Sequence, residues 1–275
     1  MAYQRLKYDL KTQTEYEFHY KGNYGAPGEK RAQRKKPTPE QIAKQNQWNR
    51  ENLVRRTILL NFEKDDLWTC LKLPQGTRAP LEDIKQCWED FRRKMSAAYK
   101  KAGEPFKFIR RMEVSKAGGI HIHILVNRLR GEIQTDKLMS KYWKEAAAKR
   151  LHVTGHINYT PLYERGGYEE LAQYLTKKPR EEEYRQLSLF PEEEQKDFIR
   201  YSPSRNLIKP IPEKKEYRRW TVKRLIEEGP KATKGYYIDK NSIISGINRY
   251  TGMSYYRYRE IKITTATLHE QKRRE

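Results

Sequence analysis

The stretch Glu113–Asn127, EVSKAGGIHIHILVN, limits the fold more than any other part of the chain. Ile120, Ile122 and Ile124 alternate with His121 and His123. In a strand this alternation turns both imidazoles to one face and the isoleucines to the other. Lys116-Ala117-Gly118-Gly119 supplies turn chemistry, so Lys107–Ser115 and Gly119–Asn127 read as the two arms of a hairpin. One register of that hairpin sets Glu113 across from His121, and a slip of one residue would turn the carboxylate away. The two imidazoles stand ~7 Å apart along the strand and can share one ion only with converging rotamers. A third ligand must come from a neighbouring element, and Glu113 is the candidate. Two imidazoles and a carboxylate with open positions suit Mg²⁺ or Mn²⁺, and equally zinc or iron.

The segments around the hairpin set the fold class. Thr57–Phe62 (TILLNF) and Asp66–Leu73 read as strands, and His156–Leu162 as a short one. Pro80–Ala102 is an amphipathic helix, with Leu81, Ile84, Trp88, Phe91, Met95 and Tyr99 at steps of three or four. Thr135–Arg150 and Tyr168–Lys178 are further helices, the last stopped by Pro179. The order predicts an α+β domain over 53–180, an antiparallel sheet of about five strands with helices packed on its face. Residues 1–52 read as a basic N-terminal arm, partly disordered, with a short helix over Glu40–Asn52. Residues 181–275 read as a charged linker (EEEYRQ, PEEEQK) and a small, basic, Tyr-rich C-terminal region. Within it, Gly235–Ile263 supplies two or three strands.

Charge narrows the partners. The 58 Lys and Arg against 36 Asp and Glu leave a net charge of +22, which favours a polyanion through counterion release. Cys70 and Cys87 form neither a disulfide framework nor a CxxC metal motif and read as reduced, buried thiols. The opening residues lack the apolar core of a signal peptide, and no run approaches membrane-spanning length, so a cytoplasmic location with no membrane partner is expected. No GxxxxGK[ST] loop occurs, which argues against a built-in ATPase motor.

A nucleophile lies in GGYEELAQYLTKKP. On a helix, Lys177 and Lys178 follow Tyr174 by three and four residues, so either ammonium can lie beside the phenol. A nearby cation favours phenolate and can neutralise a phosphate under attack. Tyr168 is a competitor, largely on the opposite side of the helix.

His121-Ile122-His123 followed by Tyr174-Leu175-Thr176-Lys177 resembles the HUH endonuclease superfamily, in its single-tyrosine rolling-circle replication initiator branch. The segments PTPEQIAKQN and YSPSRNLIKP resemble replication initiators of bacterial plasmids and small single-stranded DNA phages. The resemblance implies an HUH nuclease-like fold in which His121, His123 and Glu113 hold Mg²⁺ or Mn²⁺. It implies that Tyr174 attacks the scissile phosphate, leaving a 5′-phosphotyrosine and a free 3′-OH, with Lys177 assisting and Lys178 in reserve. Many relatives carry a second tyrosine one turn before the catalytic one; here that position is Glu170, which argues against a two-tyrosine exchange.

The implied substrate is single-stranded or hairpin origin DNA, with a host helicase and DNA polymerase as partners. Arg110, Arg111, Lys35, Lys36, Arg218 and Arg219 are the candidate DNA-binding residues, beside aromatic platforms such as Trp220, Tyr255, Tyr256 and Tyr258. A single-tyrosine transposase of related chemistry is the alternative enzyme, and a non-catalytic basic DNA- or RNA-binding protein the alternative class. In relaxases the tyrosine precedes the histidines; here it follows them.

Overall fold

The computed structural model describes residues 2–22, 26, 28–115, 117–131, 134–162 and 165–264, so Lys116 of the expected turn lies outside the described residues. In chain order the elements are β1 (Tyr3–Leu10), β2 (Gln13–Tyr20), α1 (Pro39–Asn61), β3 (Leu67–Lys72), α2 (Leu81–Lys101), β4 (Phe108–Val114), β5 (Ile120–Val126), α3 (Thr135–Leu151) and β6 (His156–Pro161). They continue with α4 (Glu169–Thr176), α5 (Glu181–Leu187), α6 (Glu192–Ile199), β7 (Tyr201–Pro203), β8 (Glu213–Tyr217), α7 (Lys223–Glu228), β9 (Tyr236–Ile238), β10 (Ile244–Asn248) and β11 (Met253–Lys262). The fold is α+β, with two antiparallel sheets. The chain divides into two compact units, Arg50–Ile208, and Met1–Asn49 with Lys209–Glu275.

The Arg50–Ile208 unit is built on a five-stranded antiparallel sheet in the order β6-β3-β5-β4-β7. The β4–β5 hairpin pairs Glu113 with His121 and Arg111 with His123, the register the sequence suggests. Ile122 and Ile124 are buried with Leu67, Leu71 and Met112 in a core that includes Trp88, Phe91, Met95 and Tyr99 from α2 and Met139 and Trp143 from α3. Fully burying side chains of this size contributes roughly 1.5–3 kcal/mol each, so this face anchors the sheet. Asp90 of α2 ties the two helices together by accepting from Lys149 and Arg150 of α3.

Three segments fold differently from expectation. TILLNF continues α1 rather than forming a strand, with Val54, Ile58 and Asn61 buried along one side. A short apolar run suits strand or helix equally, and no Gly or Pro separates it from the helix that begins at Pro39. The expected linker forms α5 and α6, whose Leu187 and Phe198 join the core against the sheet. Helix α4 ends at Thr176, because Pro179 disfavours helical backbone just ahead of it, and Lys177 is already extended (φ −54°, ψ 147°).

The other unit replaces the expected N-terminal arm with sheet. Strands β1 and β2 pair with each other, and with β11 and β8 they build a sheet in the order β10-β11-β2-β1-β8, with β9 on β11. Tyr3, Tyr16, Phe18 and Tyr20 share a buried face with Tyr256, Tyr258 and Val222. Their alternation along β2 is the strand period, but the partner strands lie more than two hundred residues away, as in Tyr16↔Tyr258.

Glu29 is the polar anchor of this unit. Its carboxylate accepts from Tyr3 Oη, Thr221 Oγ1 and the Ser254 amide, each at 2.7 Å. Burial opposes its charge, but these bonds outweigh it and hold the carboxyl below the usual range. Because the folded value lies below the unfolded one, this stabilisation is present above the unfolded pKa of ~4.3 and is lost as pH falls further. Glu29→Ala is therefore expected to weaken the unit by roughly 2–4 kcal/mol at neutral pH. The gap from the native chain should narrow below about pH 4. Hydrogen exchange of the β1 amides, native and variant compared at each pH, measures it. A gap that stays constant with pH would contradict the assignment.

Candidate active site

The exposed face of the β3–β5–β4 sheet carries the chemistry. Register places Cys70 of β3 beside His123 of β5, with Arg111 of β4 on its other side and Asn158 of β6 beyond Cys70. Helix α4 covers this face, opposite the face packed by α2 and α3. It turns Ala172 and Leu175 inward and leaves Tyr174 half-buried over the histidines.

The Tyr174 hydroxyl donates to Glu113 Oε2 at 2.8 Å and lies 3.0 Å from His123 Nε2. Glu113 Oε2 is itself 3.4 Å from that nitrogen. Lys177, just past the helix end, sets its ammonium 3.0 Å from Glu113 Oε1, 3.6 Å from Glu183 Oε1 and 4.4 Å from the centre of the Tyr174 ring. Trp68 stacks on His123 with centroids 5.7 Å apart and meets Tyr174 edge-on at 5.6 Å. Cys70, His121 and His123 present donor atoms all within 4.8 Å of one another.

Electrostatics fix the resting protons. Burial works against a charged Glu113, but hydrogen bonds involving His123, Tyr174 and Lys177 outweigh it and draw the carboxyl down to about 2. Burial, and then the Glu113 charge, push the Tyr174 phenol well above its ordinary value. The proton therefore rests on the phenol. The phenolate-favouring effect expected of the lysine is outweighed here, since its ammonium lies over the ring and is engaged by Glu113. Burial also lowers His121, favouring the neutral imidazole that can ligate a cation.

The structure brings Tyr174, Lys177, Glu113, His121 and His123 together. Lys178 is exposed, and Tyr168 is buried just ahead of α4 in left-handed backbone at φ 65°. Two expected DNA contacts are corrected. Arg111 is 1% exposed, its Nη1 donating to the Leu175 carbonyl at 2.8 Å and its Nε 3.2 Å from Glu113 Oε1. Arg110 pairs with Ile124 on the core-side face, its guanidinium 4.9 Å from the centre of the Trp88 ring. Both residues sit inside a strand, where alternation sends one into the core and the other beneath α4. Lys35, Lys36, Arg218 and Arg219 are exposed and belong to the other unit. Sequence reasoning passed over Trp68 and Cys70 as site residues. Their spacing of two is a strand signal, but only the β3–β5 pairing, across more than fifty residues, sets them beside His123.

An α+β unit with a His-x-His strand, a facing carboxylate and a tyrosine–lysine helix defines a compact phosphoryl-transfer type of site. Residues 66–179, which include all of these groups, are similar to a family of replication-associated proteins, the one described by its ORF2 member. That similarity supports a role in the initiation of DNA replication. No curated protein and no solved structure matches the chain. Among the described residues no helix is long and apolar enough to cross a membrane.

Proposed function

We propose that this protein is a rolling-circle replication initiator of the HUH endonuclease type. It nicks one strand of origin DNA through Tyr174 in a reaction that needs Mg²⁺ or Mn²⁺. The observation carrying this reading is the Tyr174 hydroxyl at hydrogen-bond distance from both His123 and Glu113.

The donor set fits a divalent cation: neutral imidazoles of His121 and His123 on one strand face, with the ionised Glu113 carboxylate beside them. Such a cation, bound by these three, supplies Lewis-acid polarisation of the scissile phosphate. Tyr174 Oη attacks phosphorus, the O–P bond to tyrosine forms, and the P–O3′ bond breaks. The phenolic proton leaves along the existing hydrogen bond to Glu113 Oε2, and the departing 3′ oxygen takes one proton from solvent. Lys177 carries positive charge beside the attacking phenol and offsets the phosphate charge. The phosphotyrosine ester keeps the energy of the broken phosphodiester, so attack by a 3′-OH rejoins the strand without ATP. The half-exposed Trp68, stacked on His123, offers a surface for a base next to the scissile bond.

The test is a covalent adduct. Incubated with single-stranded origin DNA and Mn²⁺, the full chain is expected to become linked to the 5′ end of the nicked product. Tyr174→Phe should bind the DNA and form no adduct, while Tyr168→Phe should form it. Adduct persisting in Tyr174→Phe would overturn the reading of the nucleophile. Absence of any adduct in the native chain would favour the non-catalytic DNA-binding alternative.

A further inference from the structure

We infer that Cys70 forms, with His121 and His123, a nitrogen–nitrogen–sulfur site for a thiophilic divalent cation of the zinc class. Occupation of this site excludes the hard cation of the nicking reaction. The inference rests on the proposed reading of the two histidines as ligands, and adds a residue and a metal preference to it.

Register sets Cys70 directly beside His123, so its Sγ is on the histidine face and 3.8 Å from His123 Nε2. Around one tetrahedral zinc, with bonds of about 2.0–2.1 Å to nitrogen and 2.3 Å to sulfur, neighbouring N and S donors stand about 3.6 Å apart. Cys70 and His123 already meet that spacing. The full set, within 4.8 Å, needs an inward rotation of roughly 1 Å by side chains that are not all fully packed. The remaining position is faced by the Tyr174 hydroxyl, 3.0 Å from His123 Nε2.

The two sites share both imidazoles and differ in the third donor. Glu113 is a hard oxygen that suits Mg²⁺ or Mn²⁺, whereas Cys70 is a soft sulfur that suits zinc. Binding through Cys70 releases its thiol proton to solvent and leaves Glu113 free to keep the hydrogen bond from Tyr174. A zinc-class ion therefore leaves the nucleophile in its resting state. Cys87 has no such surroundings: it lies in α2, with its thiol donating to the Ala146 carbonyl.

Cobalt(II) gives a readout independent of activity. Titrated into the full metal-free chain, it is expected to produce a thiolate-to-cobalt charge-transfer absorption at one ion per chain. Zinc should displace that signal and Mg²⁺ in excess should not. Cys70→Ser is expected to lose the band and to weaken zinc binding beyond the roughly 10–100-fold cost of losing an outer-shell partner. Cys87→Ser should retain it. No band in the native chain, or a band that survives in Cys70→Ser, overturns the inference. Should Cys70→Ser not fold, loss of the band in Cys87→Ser serves as the overturning result. Adduct formation in Mn²⁺ without a cobalt–thiolate band would sink this inference alone. A band without an adduct would sink the nicking reading and leave this one standing.

Discussion

Arg111→Met is expected to cost the Arg50–Ile208 unit roughly 3–5 kcal/mol, the range for removing one partner of a buried ion pair. Methionine fills much of the volume but leaves two polar groups behind. The Leu175 carbonyl, at the C-terminal end of α4, loses its donor. Glu113 loses one of the two cations flanking Oε1, keeping Lys177. For a unit of this size the loss should lower its unfolding temperature by roughly 8–15 °C in calorimetry. Arg110→Met is the control. Its guanidinium lies against Trp88 and it carries no comparable ion pair, so a change of about 1 kcal/mol is expected. Equal losses in the two variants would show that Arg111 does not hold α4 to the sheet.

The same residue shows where sequence reasoning stopped. That His121 and His123 share a face, and that Glu113 opposes His121, follows from strand alternation and one hairpin, both local. The amphipathic helix α2 was legible for the same reason, since its apolar steps repeat within a single element. Arg111 looked like a DNA contact because a charged residue beside a metal strand is normally solvated. Its burial depends on α4 lying across that face, a packing choice made some sixty residues later in the chain. TILLNF misled because a short apolar run carries no period long enough to separate strand from helix. The tyrosine-rich unit was the least legible part. Its sheet joins β2 to β11, and a pairing across more than two hundred residues leaves no local mark beyond the alternation of each strand. Cys70 belongs to the same class: its spacing from Trp68 was visible, and its neighbour was not.

Gly252→Ala tests the second unit and the fate of the basic run that the sequence presents as an arm. Gly252 has φ +67°, where a Cβ costs about 1–2 kcal/mol, and that Cβ would stand 2.2 Å from the Ala32 carbonyl oxygen. No side-chain rotation relieves a contact with backbone. Relief requires the segment around Ala32 to leave the β10–β11 turn, breaking Ala32 N–H to Gly252 O at 2.8 Å and Lys35 N–H to Arg249 O at 2.9 Å. Together these losses should reach roughly 3 kcal/mol, which raises the undocked population on the order of a hundredfold. The run contains Lys30, Arg31, Arg34, Lys35 and Lys36, so trypsin reports the undocking directly through the rate of cleavage there. Gly76→Ala provides the comparison: φ is +84° but no atom lies within 4 Å of the added carbon, so only the backbone strain applies. If the run in Gly252→Ala were cut no faster than in the native chain, the backbone bonds to the turn would not hold it in place. Lys35 and Lys36 would then be carried on a free tail. With the bonds intact, those ammonium groups are displayed from a fixed backbone, and each phosphate contact they make loses less chain entropy than a disordered arm would.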